Sequence, residues 1–293
     1  MQIQLKKIRH MKNIKAALLY AVTYLETGEA MLEAQLLLQH VLNVNRAWLI
    51  THENSVLTTH QQATFDALLQ RRLTGEPLAY ILGKREFYGL NLTVSPDTLI
   101  PRPDTETLVD AALEKIPSNA NYNILDLGTG TGAIALAIAH NRPQVNVVAV
   151  DFSQAALKIA QRNAMNLEMV NISFTYSDWF NALKGQKFDV IMSNPPYIET
   201  NDPHLAALRF EPASALTSGN DGLDDIRKII QNALIYLKPQ GWLMLEHGYN
   251  QAGKVQDLLA ENGLTDITTM QDLGGNDRIT IGKNPLIINT HWA

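Results

Sequence analysis

Ile124-Leu125-Asp126-Leu127-Gly128-Thr129-Gly130-Thr131-Gly132 runs directly into Ala133-Ile134-Ala135-Leu136-Ala137-Ile138-Ala139. A short apolar strand enters a glycine loop, and the loop enters an alanine-rich helix. Strand, loop and helix in that order open a sheet whose parallel strands are joined by helical crossovers. The glycines let the backbone turn sharply and let a ligand approach closely. From residue 121 onward the same alternation continues. Strands are predicted over 122–127, 145–150, 171–176, 188–193, 241–246, 264–270 and 277–282. Helices are predicted over 133–140, 154–166, 223–237 and 250–262. The pattern implies a mainly parallel sheet covered by helices on both faces.

Read as G-x-G-x-x-A, the loop also fits a dinucleotide fingerprint. Asp126 argues against a pyrophosphate there. Its carboxylate repels phosphates but suits the ammonium group of S-adenosylmethionine. The next strand ends in Asp151, where an acid accepts hydrogen bonds from ribose hydroxyls in either nucleotide class. The third strand ends at Ser177 and is followed by Asp178-Trp179. An Asp there can accept from an adenine amino group while the Trp packs on the ring. A helix cap beside a half-buried Trp is the plainer alternative.

The strand Phe188-Asp189-Val190-Ile191-Met192-Ser193 delivers Asn194-Pro195-Pro196-Tyr197 at its carboxyl end. Open α/β sheets bind their ligands at that end. Two prolines stiffen the backbone and remove two donors. The Asn194 side-chain oxygen and the Pro195 carbonyl can each accept one hydrogen of an –NH2 group, and Tyr197 can pack on a planar group. Such a slot grips a carboxamide or an exocyclic base amine. A lone Pro-Pro would read as a surface turn, but the upstream cofactor motif outweighs that reading.

These residues resemble the HemK/PrmC family, the N5-glutamine methyltransferases of peptide chain release factors. The resemblance covers nearly the whole chain. It includes Leu99-Ile100-Pro101-Arg102-Pro103-Asp104-Thr105-Glu106, the glycine loop, Asp151 and Asn194 to Ile198. It continues through Arg209-Phe210-Glu211-Pro212, Gly219-Asn220-Asp221-Gly222-Leu223, Gly241 to Glu246, and Asp272-Leu273-Gly274-Gly275-Asn276-Asp277-Arg278. His247 and Phe152 depart from the aliphatic residues commoner at those positions.

The resemblance implies a class I SAM-dependent methyltransferase fold, a Rossmann-like seven-stranded sheet with an antiparallel last strand. It implies S-adenosylmethionine as cofactor and the glutamine of a Gly-Gly-Gln loop as acceptor. Asp126 and Gly128 to Gly132 would hold the methionine end of the cofactor, and Asp151 the ribose. Phe152, Asp178 and Trp179 would lie at the adenine, and Asn194 would border both cofactor and substrate. Pro195, Pro196 and Tyr197 would complete the substrate slot. Arg102 and Glu106 would either frame that slot or form structural ion pairs.

Chemistry explains why no carboxylate is needed in the tetrapeptide. An amide nitrogen is a poor nucleophile, so the sulfonium methyl supplies the driving force. Two acceptors orient the nitrogen and stabilise the positive charge developing on it. A methylated, cationic amide sheds its proton readily.

The chain has 293 residues, 46% of them hydrophobic, no cysteine and a formal net charge of −5. That length allows two domains, and the lack of cysteine excludes disulfides and thiolate metal sites. The His, Asp and Glu residues show no metal-ligand spacing. No apolar run is long enough to span a bilayer, so a cytoplasmic enzyme is expected. The surplus of acid speaks against generic nucleic-acid binding. A basic stripe at Arg71, Arg72, Lys84 and Arg85 reads as a solvated hinge surface. Nothing demands more than a monomer.

Residues 1–75 read as a helical, substrate-docking domain. Its apolar stripes are Ile14, Leu18, Leu19, Val22 and Leu25; Ala34, Leu37, Leu38, Val41 and Leu42; and Phe65, Leu68, Leu69 and Leu73. Residues 76–100 read as a β-hairpin linker after the Gly75-Glu76-Pro77 break. Residues 101–293 form the methyltransferase domain, entered by a helix over Thr105–Ile116. The basic residues Lys6 to Lys15 leave two readings of positions 1–10. They are either a targeting segment or an extension before Met11.

Two other readings compete with glutamine methylation. One is methylation of a flipped adenine amine by the same tetrapeptide. The other is a cofactor-binding protein without catalysis, which would not require the acceptor pair.

Overall fold

The computed structural model describes residues 13–286, so the reading of positions 1–10 lies outside the described residues. The chain divides into two compact units, between Gly83 and Lys84.

The first unit is helical. It comprises α1 (Ile14–Val22), α2 (Ala30–Leu42), α3 (Arg46–Thr51), α4 (Thr59–Leu73) and α5 (Leu78–Leu82). Asn13 and Asn45 cap α1 and α3 through their side-chain oxygens, and Thr58 with Gln61 forms a reciprocal capping box on α4. These caps satisfy amides that the first helical turn leaves orphaned. Leu37, Leu38, Phe65 and Leu69 are fully buried at the centre. Leu19 departs from its expected stripe and is 53% exposed. One residue along a helix turns the side chain by about 100°, so Leu18 and Leu19 cannot share one core face. Arg71 pairs with Glu76 and Arg72 with Glu33, each through two hydrogen bonds, so neither presents a free cation.

The stretch expected as a hairpin linker begins instead with α5. Pro77 precedes that helix, and Gly83 ends it in the left-handed region, which bounds a single short helix. The hairpin follows, as β1 (Lys84–Phe87) and β2 (Leu90–Thr93) of the second unit. Its turn, Tyr88-Gly89, has positive φ at both residues, as a tight hairpin turn requires.

The second unit continues with α6 (Glu106–Lys115), β3 (Asn123–Leu127), α7 (Ala133–Asn141), β4 (Asn146–Asp151), α8 (Gln154–Asn166), β5 (Ile172–Tyr176) and β6 (Phe188–Ser193). After these come α9 (Asp224–Tyr236), β7 (Leu237–Glu246), α10 (Ala252–Glu261), β8 (Thr265–Gln271) and β9 (Asp277–Lys283). The sheet has seven strands in the order β5-β4-β3-β6-β7-β9-β8. The pairs from β5 through to β7 are parallel, and β9 is antiparallel to both its neighbours.

Both sheet faces are apolar because both are covered. Ile124, Val190, Met192 and Met244 pack on one side with α6 and α7. Leu125, Leu127, Ile191, Leu243 and Leu245 pack on the other with α9 and α10. The chain moves outward from β3 to β4 and β5, then returns to place β6 on the other flank of β3. That reversal opens a crevice at the carboxyl ends of β3 and β6, where the glycine loop and Asn194 emerge. No helix among the described residues is long and apolar enough to cross a membrane.

Candidate active site

A cleft of ≈ 710 Å³ opens at those strand ends. Its walls include Gly128, Gly130, Asp151, Phe152, Asp178, Trp179, Asn194 and Pro196. Residues predicted from four different strand ends are therefore gathered in one cavity, of a size usual for small-molecule sites. Pro96 to Leu99, Pro212, Ser214, Ala215 and Thr217 also line it.

Asp151 is 7% exposed, and burial raises its carboxyl above the usual range. Its two oxygens accept from Gly130 N at 2.9 Å and Ser153 N at 2.8 Å. It ties the glycine loop to β4, and the carboxylate keeps acceptor capacity for a further donor. Phe152 beside it is 51% exposed at the cleft. Asp178 is exposed, and the Trp179 ring lies so near Gly128 that a Cβ there would sit 3.5 Å from it. Ser177, rather than Asp178, braces the turn that follows β5. Its hydroxyl donates to Trp179 O at 2.7 Å and accepts from Ala182 N at 3.0 Å. Asp178 stays at the cleft wall.

The remaining loop residues face inward. Thr129 and Thr131 are buried, and a Cβ on Gly132 would meet Leu136 at 3.0 Å and Ala160 at 3.2 Å. Gly132 thus permits close packing of α7 and α8. Asp126 is fully buried, and burial pushes its carboxyl up to about 7. Thr129 donates to one of its oxygens at 2.6 Å; the other has no hydrogen-bond partner.

At the other wall, Asn194 donates through Nδ2 to Thr105 Oγ1 at 3.1 Å. The amide oxygen is thereby left for another group. Pro195 is buried. Tyr197 is half-buried, and its hydroxyl donates to Glu246 Oε1 at 3.1 Å. Burial raises the Tyr197 hydroxyl well above its ordinary range, and the Glu246 charge adds to it. The Tyr197 carbonyl accepts from Gln251 Nε2 at 3.0 Å. Arg102 does not line the cleft; it pairs with Glu211, whose other oxygen accepts from Ile100 N at 3.0 Å. Glu106 accepts from Tyr88 N at 2.9 Å, bracing the hairpin turn.

Two family models match the chain. One, described as the PrmC N-terminal domain, matches residues 16–83, and one described as a methyltransferase domain matches 118–278. A release factor glutamine methyltransferase of Xylella fastidiosa strain 9a5c is 48% identical over 255 residues, covering 86% of this chain and 93% of the relative. That of Escherichia coli K12 is 46% identical over 266 residues, covering 90% and 96%. The chain belongs to this family of release factor glutamine methyltransferases. A methyltransferase structure from Pyrococcus furiosus matches with a TM-score of 0.53 at 17% identity, covering 78% of this chain and 100% of that one. At that identity it supports the fold alone.

Membership in the glutamine methyltransferase family makes S-adenosylmethionine the cofactor to be fitted. The donor set suits it. Gly130 has open space where a side chain would stand, so the loop backbone is accessible to a ligand. Asp151 offers acceptors for a ribose, and Phe152 and Trp179 offer apolar faces. Asp126, expected at the methionine end, is fully buried and is not among the residues that line the cleft, although one of its oxygens has no hydrogen-bond partner.

Glu246 and Thr105 lie in segments that carry the family resemblance, but the sequence assigns neither a place beside the tetrapeptide. An acid closing the apolar run Trp242-Leu243-Met244-Leu245 was the available signal, because a charge at a buried strand's carboxyl end needs a reason. Glu246 is 1% exposed, and burial pushes its carboxyl up to about 7.

Proposed function

We propose that this enzyme transfers a methyl group from S-adenosylmethionine to the side-chain amide nitrogen of the glutamine in a Gly-Gly-Gln loop of peptide chain release factors. The observation that carries the reading is Asn194. It is held by Thr105 through its nitrogen end, and it lines the same cleft as Asp151 and the glycine loop. An acceptor at the meeting point of a cofactor cleft and an Asn-Pro-Pro-Tyr turn suits an acceptor amide.

The bound cofactor supplies an electrophilic methyl on sulfonium. The chain's own residues do the rest. Gly128 and Gly130 present backbone to the methionine end, and Asp151 accepts from the ribose. Asn194 Oδ1 and the Pro195 carbonyl take the two amide hydrogens of the glutamine, fixing the plane of the nitrogen. Both acceptors gain strength as positive charge grows on that nitrogen, so their effect falls on turnover more than on binding. Tyr197 bounds the slot, with its hydroxyl fixed on Glu246. The helical unit offers a docking surface to the large protein partner. The enzyme works as a cytoplasmic monomer, and its acidic charge disfavours nucleic acid.

The test is methyl transfer from labelled S-adenosylmethionine to three acceptors: intact release factor, the factor with its Gly-Gly-Gln glutamine changed to alanine, and DNA in single- and double-stranded form. Label on the intact factor alone is the expected result. Label on DNA would reassign the slot to adenine.

A further inference from the structure

A Pro-Pro segment cannot anchor itself through its own amides. Pro195 and Pro196 have no N–H to donate, so the tetrapeptide must be held at its ends and through its carbonyls. At one end, Asn194 Nδ2 donates to Thr105 Oγ1 at 3.1 Å. At the other end stands Gln251, just before α10, buried at 7% exposure. Its Nε2 donates to Tyr197 O at 3.0 Å and to Asp221 O at 3.2 Å. Its Oε1 accepts from Gly248 N at 2.7 Å. A glutamine amide has two hydrogens, and here both are used.

The partners leave this amide one orientation. A backbone N–H faces its oxygen and two backbone carbonyls face its nitrogen, so a flip would set like against like at all three contacts. Gly248 is held in turn, because Gln251 N donates to Gly248 O at 2.9 Å. One side chain thus joins the tetrapeptide after β6, the loop before α9 and the loop after β7. The loop before α9 is itself a cleft wall, through Ser214, Ala215 and Thr217. It runs beside the residue that follows the tetrapeptide: Ile198 N donates to Leu216 O at 2.9 Å, and Ser218 N donates to Ile198 O at 2.9 Å. Gly222 leaves the room for this closure, since a Cβ there would lie 2.7 Å from Gln251 Nε2.

We infer that Gln251 is a positioning residue for methyl transfer, which clamps the Tyr197 end of the tetrapeptide to the cleft wall and so sets where Asn194 and the Pro195 carbonyl stand. The inference rests on the proposed reaction at Asn194. Gln251 is not among the residues that line the cleft, so it acts through the backbone it holds. Between Tyr197 and Asn194 lie only the two prolines. Their fixed φ leaves few dihedrals to absorb a displacement, so a shift at the Tyr197 carbonyl is passed on to the acceptor pair.

The experiment compares wild type, Gln251→Met, Gln251→Asn and Gln256→Met. Methionine keeps the length without the amide. Asparagine keeps the amide but is one methylene too short to hold all three partners. Gln256→Met is the control on the same helix, where it removes a bond to Thr269 Oγ1 of 2.8 Å. The readouts are kcat and KM on release factor, the Kd of S-adenosylmethionine, and the carbonyl carbon shift of Tyr197 in the cofactor-free protein. Both Gln251 variants should lower kcat by about 10–100-fold, the scale of a misplaced reacting group. KM and cofactor Kd should change little, and Gln256→Met should keep its turnover. The Tyr197 carbonyl shift should move in both Gln251 variants and stay in Gln256→Met. Asn194→Ala should cost less turnover in the Gln251→Met background than in wild type, because both changes spoil one geometry; a merely structural role would make the two losses multiply. Wild-type kcat in Gln251→Met, an equal loss in Gln256→Met, or losses that multiply would overturn the inference. If Gln251→Met does not fold, unaltered kcat in Gln251→Asn overturns it. A wild type that labels no release factor defeats the reading of function instead, and the Tyr197 shift then decides the clamp alone.

Discussion

At the scale of single residues, Asn194 and Asp151 separate turnover from binding. Asn194→Ala removes an acceptor whose interaction grows as the amide nitrogen becomes positive. Its kcat should fall roughly 100-fold, by analogy with the loss of one preorganised group at a developing charge. Affinity for S-adenosylmethionine, read by calorimetry, should stay near wild type. Asp151→Ala should do the reverse. It removes hydrogen bonds to a charged acceptor, worth about 1.5–3 kcal/mol each, so cofactor Kd should rise roughly 10–100-fold. Asp178→Ala should change it less, because Asp178 is exposed and the turn beside it is braced by Ser177. Equal losses at the two positions would show that Asp151 has no special hold on the ribose. The predicted cleft-lining residues were legible because each stands at or just after a strand's carboxyl end, which can be read from local pattern; Ser214 and Thr217, in the loop before α9, line the cleft with no such signal. Glu246 and Thr105 were not legible as partners of the tetrapeptide. Their contacts span 49 and 89 residues, and periodicity carries no information about which strand ends meet. Tyr197 shows the same limit: its type and place could be read, but its tether to Glu246 could not.

At the scale of elements, the chain between β6 and α9 shapes the slot through a close approach of backbone. Gly222 has φ +73, and a Cβ there would lie 2.1 Å from the Tyr197 carbonyl oxygen and 2.7 Å from Gln251 Nε2. Gln251 donates to that same carbonyl. Gly222→Ala must therefore either shift the tetrapeptide or break this bond, on top of left-handed strain. The expected cost is about 1–3 kcal/mol by chemical denaturation. A fall in kcat at saturating cofactor should accompany it, and unchanged stability and turnover would mean the loop yields freely. Strong alternation made the sheet readable in advance: the strand predicted over 188–193 is β6, and the helix over 154–166 is α8. β7 is longer than predicted and starts at Leu237. The added residues join the sheet through the pairing of Leu237 with Phe188 of β6, with a register shift between Phe188 and Val190. α5 was hidden by its boundaries. Pro77 and Gly83 look like breakers, but they bound one short helix whose Ile81 is buried in the helical unit's core.

At the scale of the whole molecule, the buried acids make stability depend on pH in a direction opposite to the usual salt-bridged carboxylate. Asp126 and Glu246 have ordinary values of 3.8 and 4.5, and burial pushes both up to about 7. Between those limits the folded chain holds protons that the unfolded chain has released. Stability must then fall as pH rises across that interval, and flatten once both groups are ionised in the folded state. His247 works the other way. Burial lowers its value, so the unfolded chain binds the proton first as pH falls, and this residue favours stability at higher pH. The raw melting curve mixes these contributions, and a difference curve separates them. Glu246→Gln removes one titrating group and leaves His247 in place. The melting temperature of the cofactor-free wild type minus that of Glu246→Gln should decline from pH 5 and level off above a pH of about 7, and Asp126→Asn should give a decline of the same sign. A flat difference in both would show that neither carboxyl is raised in the folded state. Should Glu246 alone give a flat difference, its carboxylate is already ionised at pH 5 and only Asp126 is raised.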